Sequence, residues 1–322
     1  AEAKPLPKTV VIATHAAGSG FHADGSAVAK VVSEKSPITM VVRPHPGPPA
    51  WLPAMNNGEI EFGVIVGSDG ATAYRGIGSH RRAYPNMRLV TIGAPMQLAF
   101  WAPMDSPIKT TADLKGKRIG AAQVGTASYH AILLGLKHWG LDARRDRITI
   151  LQIGNQGARV ASLQSGGSDA IIVNPGLGNS LKERGNNILA DFTELPIPYP
   201  QQGMSVRERT IKNDPDFVER VLKGVLSGNS FSLDPRNKER VKQIIAKYLR
   251  LDRVEKAEEH YLSVSKVLVP KPYVDSAGVA SMIEFIGESD PLVAKLRPEM
   301  VINHSILKKL DESGFIDQLS KR

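Results

Sequence analysis

The sequence predicts an α/β protein of two lobes, each built on a βαβαβ unit, with a helical C-terminal tail. Three observations predict it. Apolar runs bounded by turn residues alternate with segments of helical spacing, the alternation occurs twice in the same order, and the intervals nearly repeat. Successive strand starts lie 29 and 22 residues apart in the first series and 30 and 21 in the second.

The first series is strand 9–15, helix 21–34, strand 38–44, short helix 49–57 and strand 60–66. Ala27, Val28, Val31 and Val32 form an apolar stripe at helical spacing, and Asn57-Gly58 is a pair that ends helices. The second series is strand 118–122, helix 126–139, strand 148–153, helix 156–164 and strand 169–174. Tyr129, Ile132, Leu133 and Leu136 make its stripe, and Gly140 and Gly166 stop its helices. Strands alternating with helices imply parallel sheets with covered faces, and ligands then sit beyond the carboxyl ends of the strands.

Between the two series, residues 89–101 are mostly apolar and contain Pro95, with Pro103 just beyond, while residues 199–206 follow a proline-rich run. Both segments are expected to cross between lobes. The first lobe is then 1–97 with 204–322, the second 98–203, and the ligand cleft lies between them. A tail helical from Pro215 onward returns to the first lobe, and a two-segment hinge favours bending of one lobe against the other.

Composition narrows the function. The 322 residues and 42% hydrophobic content suffice for two packed cores. No stretch approaches the ~20 uninterrupted apolar residues of a membrane-spanning helix. The polar start Ala1-Glu2-Ala3 is of the kind left after cleavage behind small residues, so a mature exported form is expected. The absence of cysteine excludes disulfides, thiolate metal sites and thiol catalysis. A net charge of +9 and a pI near 9.6 suit an anionic ligand. The basic clusters Arg81-Arg82, Lys115-Gly116-Lys117-Arg118 and Arg144-Arg145-Asp146-Arg147 are short, scattered and without interleaved aromatics, which is the pattern of solvated surface rather than of a nucleic-acid platform.

Two glycine-bearing turns lead from a strand into a helix. In the first, Gly18, Ser19, Gly20, Phe21 and His22 place backbone N–H groups and a hydroxyl at a helix start, where a carboxylate or similar anion is well received. An ordinary helix cap accounts for the same residues. The second unit has a counterpart in Gly125, Thr126 and Ser128. Ser68 and Asn174 follow the third strand of each unit and suit hydrogen bonds to a ligand; Asp69 suits either ligand contact or capping of a helix that begins near Ala71. The stiff loop from Arg43 through Gly47 to Trp51 borders the same edge, with Trp51 placed either over an apolar ligand part or in the core. Arg159 is either a carboxylate clamp or a cover for its own helix.

These residues resemble the type II periplasmic solute-binding proteins over nearly the whole chain. Gly18 to His22, Gly47, Asn57-Gly58-Glu59 and Val64-Ile65-Val66-Gly67-Ser68-Asp69 are similar to the TAXI group that serves TRAP transporters. Asp113-Leu114-Lys115-Gly116-Lys117-Arg118-Ile119-Gly120, Ala158 to Gly166 and Asp169-Ala170 are similar to that group and also to receptors of the nitrate, sulfonate and taurine ABC importers. The resemblance implies a monomeric periplasmic or lipid-anchored receptor that closes on a small organic anion, a carboxylate being expected, docks on membrane transporter subunits, and uses no cofactor or metal. Pro48, where the TAXI pattern has a small hydroxyl residue, and Val124-Gly125-Thr126-Ala127, which lacks its Gly-Ser-Gly run, depart from that pattern and favour a bulkier or aromatic acid near Trp51.

Two rival functions share the fold. An enzyme acting on an aromatic acid would draw on histidines; none pairs at His-x-x-x-His or Glu-x-x-His spacing, although His15, His22 and His45 could converge near the cleft. A DNA-binding regulator needs an appended helix-turn-helix, for which the first strand, starting within ten residues of the N-terminus, leaves no room; no nucleic-acid partner is expected.

Overall fold

The computed structural model describes residues 6–17, 19–77, 80–95, 98–124, 126–174, 177–197, 200–249, 251–288 and 290–320. The chain divides into two compact units, 1–95 with 199–322 and 96–198.

The first unit begins with β1 (Thr9–Thr14), α1 (Gly20–Lys35), β2 (Thr39–Pro44), α2 (Pro48–Asn57), β3 (Phe62–Val66), α3 (Gly67–Arg75) and β4 (Met87–Pro95). The second holds β5 (Ala99–Pro103), β6 (Arg118–Ala121), α4 (Ala127–His138), β7 (Thr149–Gln152), α5 (Gln156–Gln164), β8 (Ala170–Val173), α6 (Gly178–Glu183) and β9 (Asn186–Asp191). The chain returns to the first unit with β10 (Pro200–Arg207), α7 (Glu208–Asn213) and α8 (Pro215–Leu233), then α9 (Lys238–Leu249), α10 (Glu258–Val267), α11 (Ser276–Gly287), α12 (Pro298–Val301), α13 (Ser305–Glu312) and α14 (Phe315–Leu319).

Each unit carries the expected parallel core of three strands. In the first sheet, ordered β2-β1-β3-β10-β4, β1 pairs in parallel with β2 and β3; in the second, ordered β7-β6-β8-β5-β9, β6 does the same with β7 and β8. Continuous apolar runs such as Val10-Val11-Ile12-Ala13 suit strands covered on both faces, and all four are buried. Each core is widened by one antiparallel strand and one outer strand: β10 lies between β3 and β4, and β5 between β8 and β9.

The segments expected only to cross between lobes are thus strands as well. Pro95 and Pro103 end β4 and β5 and Pro200 starts β10, positions where a missing N–H does not interrupt a ladder. Gln202 and Gly203, assigned to the second lobe by a boundary at 203, pair with Val66 and Ile65 in the first unit's sheet. The half-exposed outer strand β9 is announced only by the short run Ile188-Leu189-Ala190 between polar residues.

Helix α1 seats closer to the sheet than its stripe implies. Gly25, Ala29 and Val32 are the buried residues and Ala27 is exposed. A Cβ at position 25 would stand 2.3 Å from Thr14 Cγ2, so glycine allows the close approach. Gly224 of α8 meets Val32, where a Cβ would stand 3.1 Å from Val32 Cγ2, and α8 contributes Phe217, Val218, Val221 and Leu222 to one core with α1, β1, β3 and α13. The segment between α10 and α11 covers the outer strand β4: the Pro272 carbonyl accepts from Ile92 N at 3.0 Å and Thr91 Oγ1 at 2.9 Å. It is pinned by Val274 N donating to His304 Nε2 at 3.0 Å and by Tyr273 Oη donating to Asp311 at 2.9 Å, so the strand offers no free edge there.

The second unit explains its own motif residues. Thr110 and Asp113 form a capping box, and Asp169 receives Arg118 N at 2.8 Å together with its guanidinium, through Nε at 3.1 Å and a terminal nitrogen at 2.8 Å. These contacts clamp the entering ends of β6 and β8, away from the strand ends that would meet a ligand. Phe100 packs between Trp139 and Phe192, at centroid distances of 5.1 and 5.9 Å.

Trp51 is core. Its ring is fully buried and lies on Gly63 of β3, where a Cβ would come within 2.3 Å of Cη2 and 2.6 Å of Cζ3. Gly63→Ala is therefore expected to lower stability by about 1–3 kcal/mol through overpacking, read as a lower urea midpoint. Adding Trp51→Leu should recover part of that loss; additive losses in the double variant would show that the two positions do not share the space.

Candidate functional site

The carboxyl end of β1 brings three histidines around Thr14. The Thr14 carbonyl accepts from His45 N at 3.0 Å, Thr14 Oγ1 lies 3.2 Å from His22 Nδ1, and His15 follows directly, its ring stacked on Phe21 at 4.0 Å. The expected convergence of His15, His22 and His45 is a property of this unit alone. The Nε2 atoms of His15 and His45 are buried without a partner. Burial pushes His15 down to about 4, so the ring is neutral at ordinary pH.

Ser19 is the N-cap of α1, its Oγ accepting from His22 N at 3.2 Å; the hydroxyl hydrogen can still be donated outward. Gly18 and Gly125 lie outside the described residues. Gly20 faces a group that sequence spacing did not suggest: Gln202 of β10, whose Nε2 lies 3.4 Å from where a Cβ on Gly20 would be. The two residues are brought together only by β10 joining this sheet. Gly47 caps α2 in extended backbone with φ 168°, with only Pro49 Cδ near its Cβ position at 3.8 Å, so neither conformation nor space demands glycine. Trp51, within the core, is not placed over a ligand.

Asp69 does not cap a helix beginning near Ala71. Helix α3 starts at Gly67, straight from β3, and its first turn is buried with Ser68 and Asp69 inside it. The Thr72 hydroxyl donates to the Ser68 carbonyl at 3.0 Å. Asp69 is 3% exposed with Oδ2 unpartnered, and burial pushes its carboxyl up to about 8. A neutral Asp69 can donate a hydrogen bond, which removes the repulsion a carboxylate would offer an anion.

In the second unit, the turn after β6 is tied from within. Thr126 Oγ1 donates to the Gln123 carbonyl at 2.6 Å, Ser128 Oγ accepts from Ala122 N at 2.9 Å, and Gln152 of β7 accepts from Val124 N at 3.1 Å. Asn155 caps α5, accepting from Ala158 N at 2.9 Å, and Gln156 accepts from Asn174 N at 2.7 Å, which fixes the chain at the end of β8.

Arg159, one turn into α5, is buried rather than spread over the surface of its helix. It is 5% exposed, donates from one terminal nitrogen to the Ile172 carbonyl of β8, and leaves Nε buried without a partner. Among the described residues no carboxylate pairs with it. Burial depresses its pKa to about 10, still leaving it charged at neutral pH. A buried cation without an anion costs several kcal/mol, so an acid group arriving here gains an unusually strong partner. Among the described residues, no group of three His, Asp or Glu side chains gathers as a metal site.

Residues 12–180, just over half of the chain, match the NMT1-like family. The chain belongs to that family. No curated protein matches it in sequence. Among solved structures it is similar to the alkanesulfonate-binding protein SsuA from Xanthomonas axonopodis pv. citri bound to MOPS, with 19% identity and a TM-score of 0.70 over 95% of this chain and 98% of that one. It is likewise similar to the periplasmic nitrate-binding protein NrtA from Synechocystis PCC 6803, at 11% identity and a TM-score of 0.74 over 97% and 90%. A third similar structure is a cysteine-to-serine variant of DszB in complex with biphenyl-2-sulfinic acid, at 16% identity and a TM-score of 0.66 over 95% and 100%. These likenesses establish the periplasmic-binding-protein fold expected from the sequence. Neither the matched family nor these structures is described as a TAXI-type receptor.

As an NMT1-like protein without cysteine, this chain has no counterpart to the side chain substituted in that DszB variant. Arg159 is the group whose state tests the site. Arg159→Met removes a buried charge and keeps the volume, so the unliganded protein should unfold at an equal or higher urea concentration, by up to about 1–4 kcal/mol; a clear loss of stability would make the guanidinium a structural strut.

Proton linkage gives a second expectation. His15, His80 and His130 are held by burial near 4, below the ordinary value of 6.5. Between those values the unfolded chain binds protons that the folded chain does not, so their contribution is intact above pH 6.5 and is lost as pH falls toward 4. Asp69, held up to about 8, works oppositely, costing stability as pH rises from the usual carboxylate range toward 8. His45, His260 and His304 are pushed the same way as these histidines and Asp24, raised to about 7, the same way as Asp69, so six groups against two make the melting temperature fall on acidification from pH 6.5 to 4. A flat profile across that window would show these histidines to be hydrated.

Proposed function

We propose that the chain is the exported solute-binding receptor of a bacterial ABC-type importer, that its ligand is a small organic anion bearing a carboxylate or sulfonate, and that it catalyses no reaction. The observation that carries this is Arg159, buried at the carboxyl end of β8 with an unpartnered Nε and no acid to neutralise it. A guanidinium presents paired N–H donors that match two oxygens of one acid group. Within the first unit, taken by itself, the strand ends carry uncharged donors that also tolerate an anion: the Ser19 hydroxyl, Gln202 Nε2 and a protonated Asp69. Nitrate and alkanesulfonate are what two of the similar proteins are named for binding, which supports an oxyanion ligand. Membrane transporter subunits are the partners this role requires, and the periplasm its place.

The test is a melting-temperature screen of carboxylates and sulfonates, preceded by native mass spectrometry of the purified protein for an acid carried through purification. A ligand at a hundred times its Kd adds about 2.7 kcal/mol, a rise of several degrees, and Arg159→Met should abolish the rise. The bound acid should be recovered unchanged after prolonged incubation. A chemically altered acid would replace the receptor with an enzyme, and stabilisation that survives Arg159→Met would move the acid group elsewhere.

A further inference from the structure

From Gly70 to Met104 the sequence holds no acidic residue and four arginines, Arg75, Arg81, Arg82 and Arg88. The fold gathers them. Arg75 and Arg88 both lie over the Tyr74 ring, with guanidinium carbons 5.9 and 5.7 Å from its centroid, and Arg82 stands 5.5 Å over Tyr84. Gly76, at φ 72°, ends α3 so close to the following chain that a Cβ there would meet Ala83 N at 2.3 Å, and Tyr84 N donates back to the Ala73 carbonyl at 2.8 Å. Glu208 N donates to the Asn86 carbonyl at 2.7 Å, which brings the start of α7, with Arg209 and Lys212, to the same place. Glu208 is the acid within reach, pairing with Arg88 and with Lys212. Among the described residues Arg75, Arg81, Arg82 and Arg209 have no ion-pair partner, and Arg81, Arg82, Arg209 and Lys212 are exposed.

Clustered like charges repel one another and weaken the fold that carries them. Among the described residues neither Arg81 nor Arg209 has a side-chain hydrogen bond, ion pair or ring contact. The other two basic clusters are each answered in part by an acid, Arg118 by Asp169, and Lys115 and Arg145 by Asp146. The face lacks what a protein partner or a nucleic-acid base would need at its centre: none of the exposed large apolar side chains falls within residues 74–88 or 207–212, and Tyr84 is buried while the Tyr74 ring already carries two guanidinia. Phosphodiester headgroups ask for no such anchor, and their paired oxygens fit a guanidinium fork held in place by a ring.

We propose that this arginine face of the first unit is a docking surface for anionic phospholipid, holding the protein against a membrane through headgroup phosphates. It is separate from the acid-binding role of Arg159 and does not depend on it. The test is co-sedimentation of the full chain with vesicles of equimolar phosphatidylglycerol and phosphatidylcholine, beside vesicles of phosphatidylcholine alone. Binding is expected to the anionic vesicles only and to weaken as salt is raised. Each basic residue at an anionic surface is worth a factor of about five, so Arg81→Gln with Arg82→Gln should lower partitioning roughly twenty- to thirtyfold at an unchanged melting temperature. Arg144→Gln with Lys182→Gln, which removes two exposed charges from the other unit, should change it far less. Equal losses in the two double variants would make the binding a matter of net charge and overturn the assignment. No binding to anionic vesicles would overturn it as well, as would capture by soluble polyglutamate or duplex DNA in place of vesicles.

Discussion

Parallel pairing of β1 with β2 and β3, and of β6 with β7 and β8, decides where chemistry can occur in this chain. Strands that run the same way end at the same edge. There the chain must turn into a helix, whose first N–H groups have no partner within the helix. Ser19, Ser68, Thr126 and Asn155 all stand at such turns. The opposite edge of the second sheet is closed by the Arg118–Asp169 clamp, so its polar groups are spent on the fold. Polar residues of similar type therefore have different duties according to the strand end they occupy.

Two buried ionisable groups show how such an edge can prefer an anion. Asp69 and Arg159 each sit where water is excluded, and each lacks a charged partner among the described residues. Desolvation acts on them with unequal result. A carboxyl can shed its charge by taking a proton and is pushed up to about 8, whereas a guanidinium pushed down to about 10 still keeps its charge at neutral pH. Within each unit the outcome is one-sided: the first holds a neutral donor, the second a lasting cation. Neither residue leaves a buried negative charge in its own unit.

The sheet cores were legible because apolar runs and glycine stops are local signals. Gly58 does end α2 in the left-handed region, at φ 94°, and Ser19 does cap α1. Position across the sheet was not legible. Strands β4, β5 and β10 carry prolines at their ends, which in sequence look like interruptions, and β10 reaches β3 from more than 130 residues away. Gln202 could not be assigned to the head of α1 for that reason. Trp51 was open between core and ligand until Gly63, twelve residues on, supplied the flat surface its ring needs. Arg159 was open between clamp and helix cover: helical spacing gives its direction from the axis, but not its burial or the Ile172 carbonyl that receives it.

Net charge is a poor guide to the ligand for a related reason. A charge of +9 is spread over a surface where ions screen each cation within about 10 Å, and most of those side chains sit in water, where a pair at 4 Å is worth only about 1 kcal/mol. Arg159 sits in a setting of far lower polarisability, where one charge interacts far more strongly than many on the surface. The surface cations matter where they are dense and unanswered, as they are around Tyr74 and Tyr84. The two proposals thus rest on different arginines, the buried Arg159 and the exposed set around Tyr74 and Tyr84, so a change in one set tests one proposal without touching the other.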